Sequence, residues 1–171
     1  MSKSVKSLGH TYKAQVHASS RGFQYTLENG YRLSVMFDHG NYCDNQDNLI
    51  TEGVISSPNF EVAVFDPDDN FITLIDEPED EDGIRRVEQC IGWVPAEILP
   101  NLISRIKFFP HYNPDWPKFQ SELNLYALAF GKACEAAREE VNKKARDGRN
   151  RPLTPKQWDE MDNIASSLDI G

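Results

Sequence analysis

The sequence predicts an α+β protein: an antiparallel sheet of two hairpins, with four or five strands, packed by one helix and followed by a C-terminal helical hairpin. Apolar residues alternate in the first half of the chain, which indicates strands, and recur every three or four residues in the second half, which indicates helices. Strands that precede helices are typical of α+β folds. At 171 residues we expect a mobile tail at 1–9, an α+β domain at 10–107 and a helical extension packed on it at 108–171.

The first hairpin has the clearest signal in the chain. Both Gly22–Leu27 and Tyr31–Phe37 place apolar side chains at alternate positions, as half-buried strands do. The segment between them, Glu28-Asn29-Gly30, predicts a tight turn because Asn and Gly accept positive φ angles. Before this hairpin, His10–His17 alternates weakly and is predicted as an edge strand.

A second hairpin is predicted from Phe60–Phe65 and Phe71–Ile75, with a turn at Asp66–Asn70 whose Pro and Asp residues favour it. The polar segment Asp38–Gly53 before it lacks periodicity and is longer than most connections in a compact domain. Loops of that length tend to be either functional or disordered, and Tyr42 and Cys43 inside this one favour an ordered loop. A short strand at Ile91–Val94 completes the sheet.

Helices are predicted from Pro95 or Pro100 onward. If the first helix began at Pro95, Pro100 would remove a backbone hydrogen bond, so either the first turn is irregular or the regular helix starts at Leu99. Asp115 is predicted to cap a long helix that runs to about Arg146. A last helix is predicted to begin at Thr154, where a capping box precedes Pro at the first helical position.

Charge is distributed unevenly. Fourteen of the 27 acidic residues lie between Asp38 and Asp82, a stretch that contains no Lys or Arg and that we call the acidic region. Such a field repels phosphates and attracts basic partners, although a solvated face that limits aggregation is the alternative. Within it, Asp76–Asp82 predicts an exposed acidic loop. Three scattered cysteines, no secretory signal and no apolar run of membrane-spanning length predict a cytoplasmic protein.

Two patterns resemble chemical sites, and each has a plainer interpretation. Asp66, Asp68, Asn70 and Glu77 match positions of a calcium loop, but Phe71 replaces the glycine that makes its sharp turn, which favours a hairpin turn. His39 and Cys43 suggest a base and a thiol nucleophile, whereas the alternative is a buried, inert cysteine. No phosphate-binding, zinc-protease or serine-hydrolase motif is present.

Aromatic residues crowd the region between the first two predicted helices. We expect Trp116, Phe119 and, in the last helix, Trp158 to pack in the core or between the helices. The alternative is a patch at Phe108, Phe109, Tyr112 and Trp116 that anchors a partner, since aromatics dominate interface energetics. Basic residues at the end of the long helix alternate with acids, which favours a solvated helix end.

Three segments are similar to a known group: NGYRLSVMFDHGNYCDN, then FEVAVFDPDDNFITL, then IGWVPAEILPNLISRI. Together, over residues 29–106, they resemble small proteins encoded by bacteriophages and prophages, a group to which the resemblance attaches no activity and no catalytic residues. The resemblance implies a shared loop at Gly40, Asn41, Tyr42, Cys43 and Asn45, a shared strand at Glu61–Phe65 and a shared helix entry at Gly92–Glu97.

These observations predict a phage-type accessory protein that acts by binding, without a cofactor or metal, and that inhibits a host defence or nucleic-acid-handling protein through an acidic surface. The expected partner is a host protein with a basic surface, and neither nucleic acid nor a membrane is contacted directly. The alternatives are a small hydrolase or nucleotide-modifying enzyme at the His39–Cys43 loop, and an assembly protein that oligomerises through its C-terminal helices. The predicted partner-binding residues are Tyr42, Asp66, Asp68, Asp69, Asp76, Glu77, Glu79, Asp80, Glu81 and Asp82.

Overall fold

The computed structural model describes residues 12–19 and 21–149. The predicted tail at 1–9, the predicted last helix from Thr154 and Trp158 lie outside the described residues. The chain divides into two compact units, residues 1–139 and 140–171. No helix in the described part of the chain is long and apolar enough to cross a membrane.

The first unit is an α+β fold, as predicted, built mainly on one antiparallel five-stranded sheet. In chain order the strands are β1 (Gln15–Ser19), β2 (Gly22–Thr26), β3 (Arg32–Met36), β4 (Asn59–Phe65), β5 (Ile75–Asp76), β6 (Val87–Glu88) and β7 (Cys90–Pro95). The five-stranded sheet has the order β1-β2-β3-β4-β7, and β5 and β6 form a separate small sheet.

The first hairpin is confirmed. β2 and β3 pair with Tyr25 opposite Leu33, and the turn closes through hydrogen bonds from Leu27 N to Tyr31 O and from Gly30 N to Leu27 O, both 2.9 Å. Leu33 and Tyr31 are fully buried, because alternate side chains of this strand face the core. The edge strand is also present as β1, shifted toward the C-terminus relative to its predicted position, and all its residues are exposed.

The second hairpin differs from its prediction. β4 forms, but residues 71–75 do not pair with it as a strand: their backbone meets β4 at a bridge between Phe65 and Phe71 and at a hydrogen bond from Ile72 N to Val64 O. Ile75 then pairs with β6 instead. The reason is that β7 occupies the open edge of β4, where it buries Ile91 and Val94 completely. Burial of two aliphatic side chains outweighs the short local connection.

Two helices follow the strands. A 3₁₀ turn at Ala96–Ile98 leads into α1 (Leu99–Ile106), so the regular helix starts at Leu99, the second of the two predicted arrangements. The long helix α2 spans Phe119–Arg149 and begins four residues after the predicted cap at Asp115. Two successive turns precede it, because Pro117 disfavours helical geometry at the residue before it.

α2 contributes one face to the core of the first unit. Its buried residues are Phe119, Leu123, Ala127, Phe130 and Cys134. The helix passes so close to the chain before β5 that a Cβ at Gly131 would collide with the Leu74 carbonyl, which explains a glycine inside a helix despite its low propensity. Phe109 joins the layers by packing edge-on against Tyr31, with ring centroids 5.2 Å apart.

Candidate functional site

The acidic region contains no Lys or Arg, but arginines from outside it reach four of its acids. These arginines lie in the turn before β2, in β3 and directly before β6. They are Arg21–Asp38 at 3.5 Å, Arg32–Asp69 at 2.7 Å, Arg85–Asp76 at 2.7 Å and Arg86–Glu77 at 3.6 Å. The acidic surface is therefore smaller than the sequence suggests, and Asp69, Asp76 and Glu77 serve partly to hold the fold.

The predicted turn after β4 is held by its own acids. Asp66 Oδ1 accepts hydrogen bonds from the backbone N–H groups of Asp68 and Asn70, both at 2.9 Å. The hydroxyl of Tyr112 donates to Asp68. Residues 66–70 thus form a tight turn, the plainer of the two interpretations of this pattern, and Glu77 pairs with Arg86 outside it. Among the described residues, no group of three or more His, Cys, Asp or Glu side chains could hold a metal.

Four further acids follow one another at the turn of the β5–β6 hairpin, at Glu79–Asp82, which we call the acidic tip. All four residues are exposed. Asp80 shapes the turn: its Oδ1 accepts from the N–H groups of Asp82 and Ile84 at 2.9 and 2.8 Å. In the part of the chain that the structure describes, the carboxylates of Glu79, Glu81 and Asp82 form no hydrogen bond or ion pair. The predicted acidic loop is thus a defined turn that presents three unpaired carboxylates.

Arg86 fixes this hairpin to α2. Its guanidinium donates to Glu88 of β6 at 2.5 Å and to Glu135 of α2 at 2.7 Å. Hydrogen bonds to Glu88 and Glu135 raise the pKa of Arg86 above its already high usual value. Arg85, the neighbouring residue, forms two parallel 2.9 Å bonds to Asp76 across the hairpin. The tip consequently projects from a hairpin whose base is anchored at several points.

A second exposed feature lies at the far end of the acidic region, where Tyr42 packs against Trp93. The ring centroids are 5.6 Å apart at 37°, and the two residues are 50% and 41% exposed. We call these two rings the aromatic pair. Trp93 sits in a bulge of β7, where Gly92 and Trp93 together face the single residue Glu61 of β4. Its φ of 52° is uncommon for a bulky residue and stores backbone strain.

Backbone contacts hold the aromatic pair in place. Trp93 N donates to Tyr42 O at 2.7 Å, and Tyr42 N donates to Glu61 Oε2 at 3.1 Å. Only glycine fits at position 92, because a Cβ there would collide with Tyr42. Arg138 of α2 donates to the Gly92 carbonyl at 3.4 Å. The three segments that carry the phage resemblance therefore meet here, although sequence patterns singled out Tyr42 and not Trp93.

The same loop does not bring His39 and Cys43 together as a base and a nucleophile. Cys43 is buried, and its thiol lies 3.6 Å from the Asp38 carbonyl. Burial, followed by the charges of Asp44, Asp38 and Glu61, raises the pKa of the thiol. His39 is exposed and forms no hydrogen bond or ion pair with any residue in the described ranges. Cys43 is therefore a buried side chain that fills space inside the loop, which agrees with the alternative interpretation.

The aromatic residues before α2 divide between core and surface. Phe119 and Phe109 are buried, so the core position predicted for Phe119 is confirmed. The prediction for Trp116 is wrong: it is 41% exposed, because it lies in the turns that precede the helix. Phe108 is exposed as well. The four aromatics do not form one surface patch, since Phe109 faces the core and the Tyr112 hydroxyl is bonded to Asp68.

Comparison with known proteins gives no relative: no family model matches this chain, and neither a curated protein nor a solved structure matches it. The resemblance to phage-encoded proteins therefore stays a prediction from the sequence.

Proposed function

We propose that this chain is a phage-type accessory protein that acts in the host cytoplasm by binding, and that the acidic tip contacts a basic surface of a host protein. The observation that supports this most is the exposure of three unpaired carboxylates, Glu79, Glu81 and Asp82, on a turn fixed by Asp80. Like charges held this close repel each other, so the arrangement is stabilised when a cationic surface approaches it.

The anchoring of the hairpin supports the same proposal. A charged segment that is ordered before it binds loses less conformational entropy than a mobile one. Arg86 and Arg85 supply that order without neutralising the tip, because their bonds go to Glu88, Glu135 and Asp76. Proteins that handle nucleic acid present basic channels for phosphates, and a fixed row of carboxylates can occupy part of such a channel.

The alternatives have less support. An enzyme at the His39–Cys43 loop needs an accessible thiolate, and the buried Cys43 with its raised pKa does not supply one. An assembly protein that pairs through C-terminal helices depends on residues from Thr154 onward, which lie outside the described residues. The acidic tip, in contrast, lies within the residues that the structure describes.

Affinity capture from a bacterial lysate tests the proposal. The bait is the full chain, and the comparison is a tip variant with E79Q, D80N, E81Q and D82N. Asn at position 80 keeps the side-chain oxygen that accepts from Asp82 and Ile84, so the turn is retained while four charges are removed. We expect the wild-type bait to capture a protein with a basic surface, to release it to duplex DNA, and to lose it in the tip variant.

A charge-matched variant separates the tip from net charge. E28Q, E97Q, D115N and E139Q remove four exposed acids that form no salt bridge in the described part of the chain. This variant should capture the same protein as the wild type. Equal capture by the tip variant, or a captured protein without a basic surface, would contradict the proposal.

A further inference from the structure

The fold contains two solvent-facing aromatic pairs beside acids, and in one of them a cation completes the arrangement. Phe65 and Phe71 lie with ring centroids 4.3 Å apart at 41°. The guanidinium of Arg32 sits 4.6 Å from the centre of the Phe65 ring. The same guanidinium lies 2.7 Å from an Asp69 carboxylate oxygen. An arginine thus stacks on an aromatic ring and pairs with an acid at the same time.

The Tyr42–Trp93 pair has a similar arrangement without a cation. Its rings are tilted at 37°, and Glu61 lies beside it through the bond to Tyr42 N. Within residues 12–19 and 21–149, no Lys or Arg lies over either ring, and Glu61 Oε1 receives no hydrogen bond. Arg138 approaches the bulge, but it donates to the Gly92 carbonyl. The rings and the free carboxylate oxygen are left for a group from outside.

We propose that the aromatic pair is the binding site for one arginine side chain of a partner protein, with the guanidinium on the rings and a hydrogen bond to Glu61. This inference rests on the proposed function in one respect: the proposed function supplies a partner with a basic surface. Arginine fits better than lysine because its guanidinium is planar, weakly hydrated and able to stack and to donate several hydrogen bonds. A nucleic-acid base fits less well, since Asp38, Asp44 and Glu61 around the loop repel phosphate.

The backbone at the bulge indicates that exposure of Trp93 is built into the fold. A left-handed φ at a bulky residue is unfavourable and persists only where the surroundings impose it. Here the Trp93 N–H bond to Tyr42 and the close fit of Gly92 impose it. The bulge adds one residue to β7 and so changes the direction of the side chain at position 93 relative to a regular strand. In this conformation the indole remains on the surface.

Peptide binding tests the inference with the full chain. The probes are labelled hexamers of arginine, of lysine and of citrulline, which has the shape of arginine without its charge, and anisotropy gives each dissociation constant. Trp93→Gly removes the indole and suits the backbone, because glycine adopts positive φ without strain. Tyr42→Leu is the second variant, since it keeps the Cβ that packs on Gly92.

We expect wild type to prefer hexa-arginine over hexa-lysine and to bind hexa-citrulline least. Each variant should weaken hexa-arginine binding about three- to tenfold, the usual range for a cation–π contact, and change hexa-lysine binding less than about twofold. Trp116→Ala is the matched control: Trp116 is exposed to the same extent, 41%, and should leave both peptides unaffected. Thermal unfolding confirms that each variant is folded.

Three results would overturn the inference: an arginine-to-lysine preference that survives in both variants, an equal loss in Trp116→Ala, or binding of oligothymidylate that Trp93→Gly abolishes. The tip variant separates the two proposals. If it weakens binding of both basic peptides equally while the arginine preference persists, both proposals stand. If it has no effect while Trp93→Gly lowers hexa-arginine binding, the proposed function fails and the arginine site stands.

Discussion

At the scale of single residues, Asn45 closes the polar loop after β3. Its side-chain Nδ2 donates to the carbonyls of Phe37 and Ser56 at 2.8 and 3.0 Å, and the residue is nearly buried. One amide thus fastens both ends of a segment that has little apolar surface to bury. The resemblance to phage-encoded proteins implies that this asparagine belongs to a shared loop, but its two acceptors, 8 and 11 residues away, lie on either side of a loop without periodicity and could not be deduced.

Asn45→Ala should lower the free energy of unfolding by about 1–3 kcal/mol, because two part-buried hydrogen bonds, to the Phe37 and Ser56 carbonyls, are lost. Asn48→Ala is the control, since that exposed side chain forms no hydrogen bond in the described residues, and a change below about 0.5 kcal/mol is expected there. Urea denaturation followed by circular dichroism measures both. Equal effects of the two substitutions would show that Asn45 does not hold the loop.

Cys134, buried on the inner face of α2, gives a prediction about pH. Burial raises the pKa of its thiol from 9.0 to about 12. The native state therefore keeps this proton while the unfolded chain releases it, so its stabilising contribution is complete below pH 9 and declines as pH rises from 9 toward 12. We expect the wild type to lose more stability between pH 8 and pH 10 than Cys134→Ala, by about 1 kcal/mol.

The shorter side chain of Cys134→Ala also leaves a small cavity, which lowers the free energy of unfolding of the variant at every pH. The two proteins therefore differ informatively only in how this free energy changes with pH. Urea denaturation of both proteins at pH 8, 9 and 10 gives the slope of the free energy of unfolding against pH. Equal slopes for the two proteins would mean that Cys134 loses its proton at a similar pH in the folded and unfolded states.

At the scale of elements, the β5–β6 hairpin depends on Arg86 more than on Arg85. Arg86 bonds Glu88 and the half-buried Glu135, whereas Arg85 pairs with Asp76 in a more exposed position. Among the described residues, Arg86→Ala leaves Glu135 with Arg138 as its remaining ion-pair partner, at 3.5 Å. We expect it to destabilise the protein by about 1–3 kcal/mol and Arg85→Ala by less than about 1 kcal/mol.

Hydrogen exchange of the hairpin amides, measured together with urea denaturation, locates the effect. Arg86→Ala should speed exchange at Leu74 N, which bonds to Glu88 O, and at Glu77 N, which bonds to Arg86 O. If Arg85→Ala costs as much stability as Arg86→Ala, the anchor on α2 is not what orders the hairpin.

Local chemistry decided which elements could be predicted. Asn29-Gly30 specifies its turn by backbone preference alone, so the first hairpin follows from the sequence. The pairing of β4 with β7 does not follow from the sequence, because β7 is distant along the chain. This pairing buries Ile91 and Val94. The late start of α2 could have been foreseen, since Pro117 follows the predicted cap by two residues.

At the scale of the whole molecule, the sequence shows how many acids the acidic region contains, but it does not show which of them are paired with arginines. Arg21, Arg32, Arg85 and Arg86 lie outside the acidic region and reach it only through the fold. The pairing of Tyr42 with Trp93 was hidden for the same reason, although a Gly inside a predicted strand is a known sign of a bulge. Folding thus pairs four acids of the region with arginines and leaves the carboxylates of Glu79, Glu81 and Asp82 at the acidic tip without a partner among the described residues.

The measurement that tests the central claim most directly is the affinity of the purified chain for the host protein that it captures, by titration calorimetry. The tip variant with E79Q, D80N, E81Q and D82N should bind at least about tenfold more weakly, because four charge contacts together are worth about 1.4 kcal/mol or more. The charge-matched variant with E28Q, E97Q, D115N and E139Q should bind within about twofold of wild type. Equal affinities for the tip variant and the wild type, or a larger loss in the charge-matched variant, would contradict the account.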